Sequence, residues 1–296
     1  MKLVDLYEKT GGAATAEEGT IRIKKSDIAP TITHFSKLTG IPARHLHKIG
    51  STGKMDTSGD IDLAVDINEY PIDTIHARLV RKLGDDACTP NKGTGVYSYA
   101  VPIKGDKNKG LVQIDLMFTP NTEWAKFSYH SEGTGSKYKG AIRTILLSAV
   151  AAAINKQGTD HFEYDEDGSM TVRVGRSLDL NQGLRRIFQF RPPRKDGKGL
   201  TKTLKSISVD EFKAQFPNVK VNGGQLIIDD PTKVLKVMFG GQTSPDDVRT
   251  AEQVLQLIKR KFSEEEQERI FTIAKSRTKP LVGKMRLPVE LSDEVE

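Results

Sequence analysis

Three aspartates in two apolar segments have the type and spacing of a divalent-metal site. Asp60 and Asp62 alternate with apolar residues, and in a β-strand residues two apart lie on the same face. Asp115 stands within a second apolar run, 111–118, and joins them if the two strands are neighbours. Crowded carboxylates raise one another's pKa unless a cation separates them. Two Mg²⁺ ions about 4 Å apart, or Mn²⁺, would balance this charge, because hard cations prefer carboxylate oxygens.

A glycine–serine pair precedes these aspartates. Gly50-Ser51 is separated from Asp60 by eight residues. A glycine at a strand end lets a polyphosphate approach the backbone, and Ser51 adds a hydroxyl and an amide N–H. The pattern therefore predicts a phosphate-binding turn beside the metals. The alternative is a surface strand with solvated aspartates, on which Gly50 only turns the chain.

The segment from Gly50 to Leu63 resembles the signature of the DNA polymerase beta-like nucleotidyltransferase superfamily, which includes poly(A) polymerases and CCA-adding enzymes. The shared features are the Gly-Ser turn, a short linker, Asp-x-Asp on a strand and a third aspartate on a later strand. The resemblance covers residues 30–155. It implies that Asp60 and Asp62 ligate both metals, and that Asp115 ligates the catalytic metal and helps deprotonate the attacking hydroxyl. It also implies that Gly50 and Ser51 hold the β- and γ-phosphates of an NTP.

Basic residues around a predicted long helix, 136–155, are further candidates for nucleotide binding. Lys137 and Lys139 stand near its start, where the amide N–H groups also favour an anion. Arg143 is a weaker candidate. Exposed lysines in a glycine-rich loop are an equally good interpretation.

A basic segment follows the predicted catalytic core. Residues 170–205 contain ten Lys or Arg against two Asp, a local charge of +8, which suits a phosphate-bearing partner. The predicted nucleic-acid-binding residues are Arg185, Arg186, Arg191 and Arg194. The neighbouring Phe188 and Phe190 would suit base stacking, or they form the buried face of a strand.

Three other patterns favour structural roles. His45 and His47 on a predicted strand could share a face, but no cysteine or clear carboxylate partner accompanies them. The segment 165–168 begins like a Ca²⁺ loop but lacks the final bidentate glutamate, so a turn is the better interpretation. Tyr97 and Tyr99 could stack on a base or pack in the core.

Composition limits the class of protein. The 296 residues carry a net charge of +6 and 36% hydrophobic residues, a globular balance. Cys88 is the only cysteine, so no intrachain disulfide, disulfide-linked partner or cysteine-based metal cage is expected. No apolar run approaches the length of a membrane span, and the first residues are too polar for a signal peptide. A cytoplasmic location is expected, with no membrane partner.

The pattern of elements predicts an α+β fold. Between residues 30 and 155 the order is αβ(loop)βαββα, a small mixed sheet flanked by helices. The predicted division is an N-terminal arm, 1–29, a nucleotidyltransferase core, 30–156, and an α/β C-terminal domain, 157–296, that ends in helices.

The expected activity is transfer of a nucleoside monophosphate from an NTP to a polynucleotide end, RNA first, with release of pyrophosphate. Two alternatives remain open. One is nucleotidylation of a protein or small molecule, as in toxin-like members of the superfamily. The other is a non-catalytic nucleic-acid-binding protein that uses the basic segment alone.

Overall fold

The computed structural model describes residues 19–91, 95–133, 136–154, 159–164, 168–192, 194, 199–203, 205–217, 227–281 and 286–292. Its strands are β1 (Ile23–Lys24), β2 (His47–Lys48), β3 (Thr57–Ser58), β4 (Asp60–Asp66), β5 (Cys88–Asn91), β6 (Val96–Pro102), β7 (Leu111–Thr119), β8 (Thr159–Tyr164), β9 (Gly168–Asp179), β10 (Gly183–Phe190), β11 (Lys205–Ser208) and β12 (Ile227–Ile228). Its α-helices are α1 (Lys25–Thr39), α2 (Ile72–Leu83), α3 (Thr122–Ser128), α4 (Gly140–Ala153), α5 (Val209–Gln215), α6 (Pro231–Phe239), α7 (Ala251–Lys261) and α8 (Glu264–Thr278).

The first half of the chain is built on a mixed five-stranded sheet. Its strand order is β2-β4-β7-β6-β5. β4 and β7 run parallel, whereas the other neighbours are antiparallel. The predicted α+β class is confirmed, and β6 and β7 form an antiparallel hairpin. The second half contains an antiparallel sheet, β11-β10-β9-β8 with β12 beside β10, and ends in helices.

The two faces of the five-stranded sheet have different environments. Ile61, Leu63 and Val65 of β4 pack with α1 and α2 in one apolar core. The opposite face carries Asp60, Asp62 and Ala64, and Ala64 is covered by α3 and its neighbours. Because side chains alternate along a strand, burial of one face against two helices leaves the aspartates on the other.

Helix α4 joins the two halves of the molecule. It is apolar on nearly every side and is buried among α3, α6, α7, α8 and strands of the second sheet. A helix that is apolar all round belongs in an interior. The domain boundary predicted at 156–157 lies outside the described residues, as does most of the predicted N-terminal arm.

Some elements differ in detail from the predicted order. Helix α1 begins at Lys25, ahead of the helix predicted to open the core at residue 30, so Pro30 lies inside it and removes one intrahelical hydrogen bond. Of the predicted strand with His45 and His47, only β2 is a strand, since His45 belongs to a 3₁₀ turn. Near the end of the described chain, Ser244 caps a 3₁₀ turn, and α7 follows behind its own Thr250 cap. Among the described residues, no helix has the length and apolar character needed to cross a membrane.

Candidate metal and nucleotide site

The register of β4 and β7 brings the three predicted aspartates together. Asp62 lies directly beside Asp115 in the parallel pair, and Asp60 lies beside Gln113. One carboxylate oxygen from each of Asp60, Asp62 and Asp115 lies within 4.8 Å of the others. Asp115 is buried, while Asp60 and Asp62 are half-buried. The three groups therefore form one acidic cluster that stays accessible from one side.

Two buried side chains hold the carboxylate of Asp115. The Ser98 hydroxyl donates to Asp115 Oδ1 at 2.6 Å, and Gln113 Nε2 donates to the same oxygen at 2.8 Å. Ser98 lies opposite Asp115 in the antiparallel β6–β7 pair, and Gln113 is two residues earlier on β7, on the same face. Neither was predicted as a site residue. Only the spacing of Gln113 from Asp115 offered a signal.

The Gly50-Ser51 turn lies against Asp62. A Cβ placed on Gly50 would lie 2.6 Å from Asp62 Oδ2, and Gly50 has a φ of +61°. The backbone of Asp62 is tied to the same turn, because its N–H donates to Thr52 Oγ1 at 2.8 Å and its carbonyl accepts from Ile49 N–H at 3.1 Å. The turn thus meets the acidic cluster at a point where only glycine leaves room. Thr52 was not predicted as part of the site.

The linker between the turn and the aspartates is held by the N-terminal segment. β1 pairs with β3, so that residues 57–58 of the linker belong to a two-stranded ribbon. The exposed Arg22 donates from Nε and Nη2 to Thr57, and its positive charge partly opposes the rise in the pKa of Asp60 that burial causes. A linker of eight residues is therefore an ordered part of the site.

The electrostatics of the cluster fit a divalent cation. Burial raises the pKa of Asp60. Burial, followed by the charges of Asp60 and Asp115, raises the pKa of Asp62 well above its ordinary value. Burial raises the pKa of Asp115 to about 6, although the hydrogen bonds from Ser98 and Gln113 oppose this. Within the described ranges no Lys, Arg or His forms an ion pair with any of the three, and oxygen ligands of this kind suit Mg²⁺ or Mn²⁺.

The raised pKa of Asp115 predicts a pH-dependent stability without metal. A raised folded-state pKa means that Asp115 stabilises the fold while protonated, below about pH 4, and that this contribution is lost as the pH rises through about 6. Two pKa units correspond to about 3 kcal/mol. In EDTA, the Asp115→Asn variant should gain about that much in free energy of unfolding relative to the unaltered protein between pH 4 and 7, measured by urea titration. Parallel pH curves for the two proteins would contradict this, and Mg²⁺ should reduce the difference.

The predicted triphosphate-binding lysines lie just before α4. Lys137 and Lys139 are exposed, and within the described residues no ion pair joins either to the three aspartates. The helix begins at Gly140 rather than 136, because Ser136 Oγ and Lys137 N–H instead donate to Glu252.

Arg143 and Lys54 both make contacts with backbone carbonyls. Arg143 is 1% exposed, and its guanidinium donates to the carbonyls of Val248 and Phe127, so its candidacy for triphosphate binding is wrong. Lys54 lies in the linker after Ser51, and its Nζ donates to the Ser131 carbonyl at 2.5 Å, which ties the linker to the segment before α4.

The four predicted nucleic-acid-binding arginines do not share one surface. Arg185 and Arg186 are consecutive on β10 and so point to opposite faces. Arg185 forms an ion pair with Asp179 at 2.9 Å. Arg191 and Arg194 follow the strand and are exposed.

The aromatic candidates are core residues. Phe188 and Phe190 are buried against Phe212, and Tyr97 and Tyr99 are buried under α1 and α2. The structural interpretation therefore holds for all four, and base stacking on them is excluded by their burial. His45 lies in a 3₁₀ turn and contacts Tyr70, so it does not share a strand face with His47. The turn predicted within 165–168 falls almost wholly outside the described residues, although β8 and β9 pair on either side of it.

A scan against protein-family models, a search of curated proteins and a search of solved structures each find no match to this chain. The function is therefore inferred from the site itself.

Proposed function

We propose that this protein is a divalent-metal-dependent nucleotidyltransferase that moves a nucleoside monophosphate from an NTP to a hydroxyl. The observation that carries this function is the convergence of Asp60, Asp62 and Asp115 directly beside the Gly50 turn. A metal site alone would need only the carboxylates. A glycine turn in contact with one of them adds a place where a polyphosphate can reach the backbone and the metal together.

The turn has donors for phosphate oxygens. Across the described residues, the N–H groups of Gly50 and Ser51 donate to no backbone carbonyl, and the Ser51 side chain is half-buried beside them. Backbone amides in a tight turn with positive φ form anion-binding concavities. These groups would bind the β- and γ-phosphates, as the resemblance to the superfamily implies.

The chemistry is in-line displacement at the α-phosphorus. The acceptor oxygen forms a bond to that phosphorus, the bond from the phosphorus to the α,β-bridging oxygen breaks, and pyrophosphate leaves. Bound divalent ions would lower the pKa of the acceptor hydroxyl and neutralise charge on the triphosphate. Asp60, Asp62 and Asp115 would hold them, Asp115 through Oδ2, the oxygen that does not accept from Ser98 and Gln113. The proton of the acceptor hydroxyl would pass to the Asp115 carboxylate. Positioning by these rigid strands supplies much of the rate.

The acceptor in this proposal is a polynucleotide end, RNA first. Support comes from the +8 charge of residues 170–205 and from the exposure of Arg191 and Arg194 beyond β10. Arg185 contributes less, because Asp179 neutralises it. A protein or small-molecule acceptor, or nucleic-acid binding without catalysis, are the competing outcomes of the test.

The test is incubation of the purified protein with each labelled NTP, Mg²⁺ or Mn²⁺, and RNA, DNA or protein acceptors. The expected result is metal-dependent release of pyrophosphate with label transferred to RNA. Transfer of the label to protein instead would show that the acceptor is a protein and would still support the proposed reaction. If RNA binds but no NTP releases pyrophosphate, the protein is a non-catalytic nucleic-acid-binding protein.

A salt titration of RNA binding tests the proposed acceptor independently of the proposed reaction. Each phosphate contact contributes about 0.7 to the log–log slope for a single strand, so the double substitution of Arg191 and Arg194 by alanine should reduce the slope by more than one. Lys37 and Arg81, exposed on α1 and α2, are the matched control pair and should leave it unchanged. Binding that ignores salt would contradict a polynucleotide acceptor.

A further inference from the structure

The carboxylate of Asp115 differs from those of Asp60 and Asp62 in its hydrogen bonds. Its Oδ1 accepts two donors, Ser98 Oγ at 2.6 Å and Gln113 Nε2 at 2.8 Å. A carboxylate oxygen offers about two lone-pair positions, so Oδ1 is fully occupied. Oδ2 is left as the atom that can ligate a cation.

Both donors are rigidly placed. Ser98 and Gln113 are 8% and 3% exposed, and both belong to the central strands β6 and β7. Ser98 is fixed by the register opposite Asp115, and Gln113 by the same strand. Because burial restricts the rotamers of both side chains on a fixed backbone, their two hydrogen bonds set the rotation of the Asp115 carboxylate about its last bond.

We infer that Ser98 and Gln113 are positioning residues, which turn Asp115 so that it presents Oδ2 alone to a divalent ion shared with Asp60 and Asp62. Partners of this kind orient metal ligands and typically change metal affinity about 10–100-fold when they are lost. The inference rests on the proposed function only for its metal site, and it needs no nucleotide or acceptor.

The experiment is Mn²⁺ binding, followed by electron paramagnetic resonance, in the full chain without nucleotide. Ser98→Ala should weaken the binding about tenfold, because Asp115 can then rotate. Gln113→Leu should do the same, and the double variant should lose more than either. Ser98→Thr keeps the hydroxyl on a residue that strands favour and should restore the affinity.

The control is another buried hydroxyl, whose hydrogen bonds go to backbone carbonyls rather than to the three carboxylates. Ser128 is 3% exposed and donates to the Leu180 carbonyl at 2.8 Å. Ser128→Ala should lower stability much as Ser98→Ala does, yet leave Mn²⁺ affinity unchanged. A purely structural role for Ser98 would make these two variants alike in both measurements.

The outcomes distinguish this inference from the activity. Unchanged Mn²⁺ affinity in both single variants and in the double variant, with binding lost in Asp115→Asn, would overturn the positioning role and leave the metal site standing. No Mn²⁺ binding by the unaltered protein would overturn both. Weakened binding in the variants, in a protein that transfers no nucleotide, would support the positioning role and reject the proposed reaction.

Discussion

Replacing Asp62 or Asp115 with asparagine is expected to lower nucleotide transfer at least about a hundredfold, the scale of losing one electrostatic stabiliser of a transition state. Asparagine keeps the size of the side chain but removes the negative charge that a divalent ion requires. The two residues lie side by side in the β4–β7 pair, so the substitutions act on one centre. The measurement is the initial rate of pyrophosphate release at saturating NTP and Mg²⁺.

Asp66 provides the matched control for this loss. It lies on β4, on the same face as Asp60 and Asp62, and its carboxylate accepts from Asn68 rather than joining the acidic cluster. Asp66→Asn should therefore retain nearly full activity. Full activity in both Asp62→Asn and Asp115→Asn would reject the proposed active site. An equal loss in Asp66→Asn would indicate that any change in β4 charge disturbs the fold.

The faces of β4 were predictable because strand alternation is a local property. Alternating apolar residues placed Asp60 and Asp62 together, and burial of Ile61 and Leu63 against α1 and α2 agrees. The approach of Asp115 depends on which strands are neighbours, which no local pattern specifies. The resemblance supplied that pairing, and the register of Asp62 with Asp115 matches it.

Ser98 and Thr52 could not be predicted by the same reasoning. Each acquires its role through a contact set by tertiary structure: Ser98 through the β6–β7 register and Thr52 through the turn over Asp62. Serine and threonine are also common on surfaces, so their types carried no signal.

The N-terminal segment also shows the limit of local patterns. Strands of two residues, such as β1 and β3, have no detectable periodicity, and their pairing joins residues more than thirty positions apart. Their effect on the site is nevertheless direct, because they order the linker that carries Gly50-Ser51 to Asp60. Residues 1–29 show no periodicity and were therefore predicted to be an arm, whereas β1, within the described part of that segment, helps to order the site.

Gly50→Ala is expected to reduce nucleotide transfer about a hundredfold. Alanine at φ +61° carries about 1–2 kcal/mol of backbone strain. More importantly, its Cβ would meet Asp62 Oδ2 at 2.6 Å, so either the turn or the carboxylate must shift. A displacement of about 1 Å in a reacting assembly can cost about 10²-fold in rate. The measurements are pyrophosphate release and Mn²⁺ affinity, together with the free energy of unfolding.

Gly53 is the control that distinguishes backbone strain from the contact with Asp62. Both glycines lie in the same turn with a positive φ, but only Gly50 lies against a carboxylate. Gly53 also has a positive φ, +74°, but the nearest atoms to its Cβ would be 3.9 Å away. Gly53→Ala should therefore lose a similar amount of stability while it keeps metal affinity and most of the activity. If both variants lose activity equally, flexibility of the whole turn, rather than the close approach of Gly50 to Asp62, governs the reaction. If only Gly50→Ala loses activity, the role of Gly50 is to leave room for the Asp62 carboxylate, and the turn and the metal ligands act as a single site.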